Sequence, residues 1–262
     1  MNKEATANKN AWEYRAYEYW HRQGTPKEKA AELKKAPLSR FYLHRSYFDN
    51  EQVSGKKIAN PCGSNGKMAV ALALLGADVT VFDISTENEK YALALAKEAD
   101  VALQYVVGDF CEIDLGEHGN TFDIAYAEGG IIHYFPDIAA FMQMLFSIIK
   151  PGGQLVLSDF HPFRKINPAG SAMMSVKQTD GNYFDTRTHP VDIAYRPFFP
   201  QEEQAAFPKC RCRFYTISEI INGVIGAGFT LLEFLEHPNY ENSKLPGLFT
   251  IVARKGTAGN SR

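Results

Sequence analysis

The chain has four cysteines in 262 residues, Cys62, Cys111, Cys210 and Cys212. They show neither paired C-x-x-C spacing nor the density of a secreted disulfide scaffold. Cys210-x-Cys212 has the period of one strand face, and no metal site is assigned. Long apolar runs are missing too. The most apolar early stretch, Met68 to Gly76, is far too short to span a bilayer, and the opening MNKEATANKNAWEYR has no apolar signal segment. A cytoplasmic location without membrane attachment is therefore expected. No charge of one sign prevails: Lys+Arg 28 against Asp+Glu 30 gives −2. There is thus no overall field to attract a polyanion, no basic run exceeds two residues, and nucleic acid is not an expected partner.

What is present is ordinary for a globular protein, with 45% hydrophobic and 22% charged residues, so neither disulfides nor metal are needed for stability. Through Lys57 the chain carries 12 basic and 7 acidic residues, or +5, and the remainder carries 16 and 23, or −7. Residues 1–56 are read as an accessory helical segment on that ground. Thr25-Pro26-Lys27-Glu28 supplies an N-cap, a first-turn Pro and a capping-box Glu for a helix toward Lys35, which Pro37 stops. Aromatic residues flank it (Trp12, Tyr14, Tyr17, Tyr19 and Trp20 before; Phe41, Tyr42, Tyr47 and Phe48 after). They either pack the segment onto the main domain or form a lid over a ligand.

From Lys57 a strand–helix alternation predicts a doubly wound α/β sheet. Strands are expected at Lys57 to Pro61, Val79 to Asp83, Leu103 to Gly108, Phe122 to Ala127, Gln154 to Asp159, Phe229 to Glu236 and Leu248 to Arg254. Helices are expected at Asn65 to Leu75, Thr86 to Ala99, Asp137 to Ile149 and Ser218 to Gly226, with Gly76 and Gly228 as C-terminal caps. Residues 160–213 are broken by six prolines (162, 168, 190, 197, 200 and 208). Short strands are expected there around Asn182 to Phe184, Ile193 to Tyr195 and Arg213 to Tyr215. An insertion of this length is read as a substrate cap. The tail 256–262 is expected to be disordered.

In such a sheet, ligands bind beyond the carboxyl ends of the strands, beside the first one. The loop there is Asn60-Pro61-Cys62-Gly63-Ser64-Asn65-Gly66, small enough for close backbone approach and leading into a helix N-terminus with unpaired N–H groups. Asp83 ends the second strand, where a carboxylate accepts hydrogen bonds from both hydroxyls of a ribose. Ser85 and Thr86 are available to cap the next helix, which leaves Asp83 for a ligand. A nucleoside-containing ligand is implied. The loop has Gly63 and Gly66 alone, not the G-x-G-x-x-G of dinucleotide enzymes, which argues against an NAD-dependent oxidoreductase.

Five motifs in order now carry a family resemblance: Cys62 to Gly66, Val79 to Ser85, Gly108-Asp109-Phe110, Phe122 to Ala127, and Lys150-Pro151-Gly152-Gly153. Over Lys57 to Arg254 the chain resembles the class I S-adenosylmethionine-dependent methyltransferases. The resemblance implies a Rossmann-like sheet of seven strands, the last running antiparallel between strands five and six. It implies S-adenosylmethionine as cofactor, S-adenosylhomocysteine as product and a small-molecule acceptor with an O, N or C nucleophile. By position, Asn60, Cys62, Gly63, Ser64 and Gly66 would wrap the methionine part, Asp83 the ribose, and Ile84 and Phe110 the adenine, with Asp109 at its amino group. The family has an acidic residue where Asn60 stands and glycines where Cys62 and Ser64 stand. Asn60 lacks the charge for the cofactor ammonium, so that contact falls to Glu128 or to backbone carbonyls.

Glu128-Gly129-Gly130-Ile131-Ile132-His133-Tyr134 ends strand four, where the family places its transfer site. His133 is a candidate general base for an acceptor that carries a proton, or else a structural histidine. His161, after strand five, is the second candidate. Tyr134 and Glu128 are candidates to orient an acceptor. Tyr183, Tyr195, Arg196 and Tyr215 are candidates to line the cap, with Arg196 as an anionic anchor or simply solvated. His21, His44, His118, His189 and His237 belong to no motif. The departures at Asn60 and Cys62 leave a nonenzymatic cofactor-binding protein as the rival reading.

Overall fold

In the computed structural model, residues 1–41, 43–166 and 181–257 are described. Tyr42, Pro168 and 258–262 of the expected tail lie outside them. The chain begins with α1 (Lys3–Glu13), α2 (Ala16–Arg22), α3 (Pro26–Lys35) and the single turn α4 (Asn50–Val53). It continues through β1 (Lys57–Pro61), α5 (Lys67–Leu74), β2 (Asp78–Asp83), α6 (Thr86–Ala99), β3 (Gln104–Val107), the turn α7 (Leu115–His118), β4 (Phe122–Glu128), α8 (Ile138–Ile148) and β5 (Ile149–Phe160). β6 (Thr188–Asp192), β7 (Lys209–Arg213), α9 (Ile217–Gly226), β8 (Phe229–Pro238) and β9 (Pro246–Lys255) complete it.

Seven strands form one sheet in the order β3-β2-β1-β4-β5-β9-β8. β1 through β5 pair in parallel, and β9 runs antiparallel to both β5 and β8. This is the Rossmann-like seven-stranded arrangement expected from the sequence, with the last strand inserted antiparallel. The strand order reverses between β1 and β4, which opens a crevice at their carboxyl ends. One face of the sheet is covered by α8 and α9 through Phe141, Met142, Leu145, Ile220 and Val224. The other is covered by α3, α5 and α6 through Leu33, Val70, Leu72, Tyr91 and Leu95. A third cluster joins Ala11 and Ala16 to Tyr195, Phe199, Cys210 and Cys212, so the N-terminal helices pack on the insertion.

Local chemistry accounts for most element ends. Thr25 and Glu28 form the expected capping box with Pro26 in the first turn, and Ser85 caps α6 by accepting from the Asn88 N–H. Helix α5 starts at Lys67, two residues later than expected, because Gly66 is left-handed at φ 72° and ends the preceding loop. In the insertion, the strands differ from those expected at 182–184, 193–195 and 213–215: β6 and β7 pair as a separate two-stranded ribbon instead. Tyr183 lies in a turn, and Ile193 and Tyr195 are buried against α1 and α2. Pro190 is tolerated inside β6 because a two-stranded ribbon is all edge. Cys210 and Cys212 share the buried face of β7, as their spacing implies.

Candidate active site

The carboxyl ends of β1, β2, β4 and β5 open into a cavity of about 590 Å³, within the usual range for a small-molecule site. Asn60, Cys62, Gly63 and Ser64 line one end, Asp83, Ile84, Asp109 and Phe110 one side, and Glu128, His133, Tyr134 and Phe160 the other. Asn2, Ala5, Asn8 and Trp12 of the N-terminal segment and Val191, Asp192 and Tyr195 of the insertion also border it.

The loop after β1 has a glycine-type backbone built partly from other residues. Cys62 and Ser64 are left-handed at φ 52° and 49°, a conformation costing about 1 to 2 kcal/mol per L-residue. The Cys62 N–H donates to Phe82 O at 2.7 Å, the Ser64 N–H to Asp83 Oδ2 at 3.0 Å, and Tyr105 Oη to Ser64 O at 2.8 Å. Gly63 lies against Asn60, whose Oδ1 is 2.3 Å from where a Cβ would stand, so no side chain fits there. Gly66 fits closely against Ala92 of α6, where an added Cβ would stand 2.6 Å away, and so acts through packing instead of lining the cavity.

Asp83 is buried, and burial raises its carboxyl above the ordinary value. Its Oδ1 accepts from the Ser85 N–H and from Asn88 Nδ2, which brings the chain Trp20 Nε1 to Asn88 Oδ1 (2.8 Å) into line behind it. Asp109 Oδ1 accepts from the Cys111 N–H, and its other oxygen accepts from no donor among the described residues. Ile84 borders the cavity, and its carbonyl accepts from Lys9 Nζ of α1 at 3.0 Å. Phe110 reaches the cavity from an edge-to-face aromatic cluster with Phe82 and Phe141.

Two polar side-chain atoms of this wall, Asn60 Oδ1 and Ser64 Oγ, are buried without a partner, while Asn60 Nδ2 donates to Tyr126 O. Space is open where a Cβ would stand at Gly108 and Gly129, which both border the cavity. Stranded acceptors beside open glycines fit a polar ligand with donors of its own.

At the end of β4, Glu128 accepts from Tyr126 Oη, and burial raises its carboxyl. Gly129 and Gly130, at φ 95° and 80°, turn the chain so that the Ile131 and Ile132 N–H groups donate to Asp159 Oδ2 at 2.8 and 2.9 Å. That turn brings His133 and Tyr134 to the cavity. The His133 ring is nearly parallel to those of Phe160 and Phe214, and burial with the nearby Arg164 pushes it down to about 3, so the imidazole is neutral. Burial raises the Tyr134 phenol well above its usual range, which keeps it a donor and not a phenolate base.

His161 is the sequence candidate that the structure separates from the rest. Its Nδ1 accepts from the Phe163 N–H, its Nε2 stands 2.9 Å from Glu236 Oε1 of β8, and it does not border the cavity. It caps the turn after β5, a role that His-Pro after a strand end serves without signalling it in the sequence. Arg196 is paired with Asp192 at 2.7 Å, Tyr195 donates to Ala11 O and Tyr14 O, and Tyr183 and Tyr215 lie outside the wall. Among the wall residues that belong to no motif are Asn8, Arg40 and Lys67. The side chains of Arg40 and Lys67 form no hydrogen bond or ion pair among the described residues, the Lys67 ammonium lies 5.5 Å from the Trp20 ring centre, and burial pushes it down to about 8. An uncompensated cation following the loop glycine was the available signal for Lys67.

Residues 61–157 match a family model described as "Methyltransferase domain". Two curated relatives are named ubiquinone biosynthesis O-methyltransferase. The one from Xanthomonas campestris pv. campestris (strain B100) is 32% identical over 147 residues, 56% of this chain and 57% of that protein. The one from Xanthomonas euvesicatoria is 27% identical over 157 residues, 60% and 62% of the two chains. The chain thus spans less than two thirds of these relatives. A methyltransferase structure from Methanosarcina mazei shares the fold at TM-score 0.61 and 17% identity, over 83% of this chain and 98% of that one. Magnesium protoporphyrin IX methyltransferase from Synechocystis, solved with S-adenosylhomocysteine, aligns at TM-score 0.60 and 14% identity, over 97% and 100%. Residues 61–157 thus resemble a methyltransferase domain, and the strand order is the fold of the solved S-adenosylmethionine-dependent methyltransferases to which the chain is similar.

Proposed function

We propose that the cavity binds S-adenosylmethionine and that the protein moves its methyl group to a small-molecule acceptor by in-line displacement. The observation that carries this reading is one cavity uniting a left-handed loop with unpartnered acceptors, a ribose-type carboxylate at Asp83 and an aromatic wall ending in a neutral histidine. Bound there, the cofactor supplies an electrophilic methyl group on a sulfonium.

Asp83 accepts from a ribose hydroxyl with the Oδ2 lone pair that its three protein donors, Ser64, Ser85 and Asn88, leave open, since a carboxylate offers about four. Asp109 meets the adenine amino group with its free oxygen, between Ile84 and Phe110. The Asn60 to Gly66 loop follows the methionine part. Glu128 receives the ammonium in place of the uncharged Asn60, and Arg40 and Lys67 are the cations available for the carboxylate.

For an acceptor that must lose a proton, neutral His133 takes it and Tyr134 orients the nucleophile by donating to it. Residues 1–56 and the described part of the 160–213 insertion close the roof and exclude water. The names of the curated relatives make a phenolic oxygen the first acceptor to try.

Transfer of isotopically labelled methyl from S-adenosylmethionine to catechols, other phenols and small amines tests the reading. A labelled product that depends on His133 is expected. Tight cofactor binding with no transfer across such acceptors would instead establish the nonenzymatic binder.

A further inference from the structure

Behind Glu128 a file of polar side chains crosses the apolar core without a break. Tyr126 Oη donates to Glu128 Oε2, and His44 Nδ1 lies 3.1 Å from the same hydroxyl. His44 Nε2 is 3.0 Å from Thr250 Oγ1, and His237 Nε2 is 2.8 Å from that oxygen. Tyr126, His44 and Thr250 are 0%, 2% and 0% exposed, whereas His237 is half-buried on β8. The file thus runs along one face of the sheet from the cavity toward the edge strand β8. Phe41 and Phe48 pack directly on Tyr126, so the surroundings would have suited an apolar side chain. A fully paired polar chain in such a place specifies one arrangement, and low dielectric strengthens each bond in it.

Each link holds one proton, and two arrangements run in a single direction along the whole file. With Glu128 ionised, every donor points toward it: His237 Nε2–H to Thr250, Thr250 O–H to His44 Nε2, His44 Nδ1–H to Tyr126 Oη, and Tyr126 O–H to the carboxylate. With Glu128 protonated, every donor points outward. The remaining charged group near Glu128 is Arg40, which favours the ionised form, whereas burial favours the protonated one. Thr250 also lies 3.3 Å from Ser158 Oγ, a side branch that ends on Phe249 O.

We propose that Tyr126, His44, Thr250 and His237 are positioning residues that set the charge of Glu128, and that arrival of the cofactor ammonium expels a proton from Glu128 along them. This rests on the cofactor reading above. Glu128 gives its proton to Tyr126 Oη as the tyrosine proton passes to His44 Nδ1. The His44 Nε2 proton passes to Thr250, the threonine proton to His237 Nε2, and His237 releases its Nδ1 proton to water. Only O–H and N–H bonds change, and one proton leaves for each carboxylate formed. Burial and the neighbouring His237 push His44 down to about 4, so the proton passes His44 without resting there as a cation.

Calorimetric titration with S-adenosylhomocysteine from about pH 5 to about pH 8, at each pH in two buffers that hold that pH and differ in ionisation enthalpy, counts the protons exchanged on binding. The wild type is expected to release a fraction of one proton that grows as pH falls toward the free-state titration of Glu128. Glu128→Gln should release none and bind about tenfold more weakly, as should the wild type with the desamino analogue. Tyr126→Phe, which keeps the ring among Phe41 and Phe48, should move the release to higher pH and weaken binding about tenfold. Thr250→Val, one step further out, should move it in the same direction by less.

Tight binding with the same heat in both buffers at every pH would overturn the proposal and leave the cofactor reading intact. A Tyr126→Phe profile that coincides with the wild type would do the same. No heat of binding under any condition would overturn the cofactor reading itself.

Discussion

Ser64 and Cys62 hold a conformation that glycine adopts freely, and Ser64 Oγ is buried without a partner. Replacing Ser64 by Gly removes about 1 to 2 kcal/mol of left-handed strain, against about 0.5 to 1 kcal/mol for the freer unfolded glycine. Ser64→Gly is therefore expected to stabilise the cofactor-free protein by about 0.5 to 1 kcal/mol in chemical denaturation; a loss of stability would contradict the strain. The sequence showed that Cys62 and Ser64 depart from the glycines of the family, but it did not show that the backbone keeps the glycine shape regardless. His133 was legible by its place after β4, although its neutrality depends on Phe160, Phe214 and Arg164, which come from distant parts of the chain. Removing it as His133→Ala should slow turnover about 10² to 10⁴-fold for an acceptor that loses a proton, with cofactor affinity unchanged. Because burial holds the ring neutral, no histidine limb from His133 is expected in the rate between about pH 5 and pH 8. Wild-type turnover in the variant would remove it as base.

At the scale of elements, helix α1 is fastened at its middle and at its C-terminal end. Glu13 accepts from the Thr86 and Glu87 N–H groups at the start of α6, while the buried Asn8 donates to Tyr134 O and Arg211 O and accepts from the Arg211 N–H. Asn8→Ala strands that N–H and both carbonyls, at about 1 to 3 kcal/mol. Faster hydrogen exchange and proteolysis confined to residues 1–22, with weaker cofactor binding, are the expected outcome; unchanged protection of α1 would show that Asn8 does not fasten it. Elements defined by local chemistry were readable in advance, as with the Thr25–Glu28 capping box and Gly76, left-handed at φ 91° after α5. The β6–β7 ribbon was not, because its pairing is fixed by Asn8 and by burial against α1 and α2, contacts between residues about 200 apart in sequence. His161 was misread for a similar reason: its ring is held by Phe163 and Glu236, and nothing near it in sequence indicates that it turns from the crevice.

For the whole molecule, the order of the sheet followed from the strand–helix alternation and the family resemblance, since right-handed crossovers leave few alternatives. Among the described residues no helix is long and apolar enough to cross a membrane. The buried histidines give the fold a pH dependence of definite sign. His133 titrates at about 3 when folded and at about 6.5 when unfolded, so the unfolded chain binds the extra proton and stability falls as pH drops below about 6.5. That single group accounts for a loss of about 2 kcal/mol between pH 7 and pH 5. His133→Phe should flatten the measured fall by about that amount, and an unchanged slope would mean that the folded imidazole is already protonated. Asp159, raised to about 6 by burial, acts in the opposite direction, since its folded form takes up a proton first and stability is lost as pH rises through about 6. The central claim is that one cavity holds a sulfur nucleoside through Asp83. Titration of wild-type and Asp83→Ala protein with S-adenosylmethionine, S-adenosylhomocysteine and NAD tests it most directly. Micromolar binding of the two sulfur nucleosides, no binding of NAD and a loss of about 1 to 3 kcal/mol in the variant are predicted; equal affinity of the variant, or binding of NAD alone, would contradict the account.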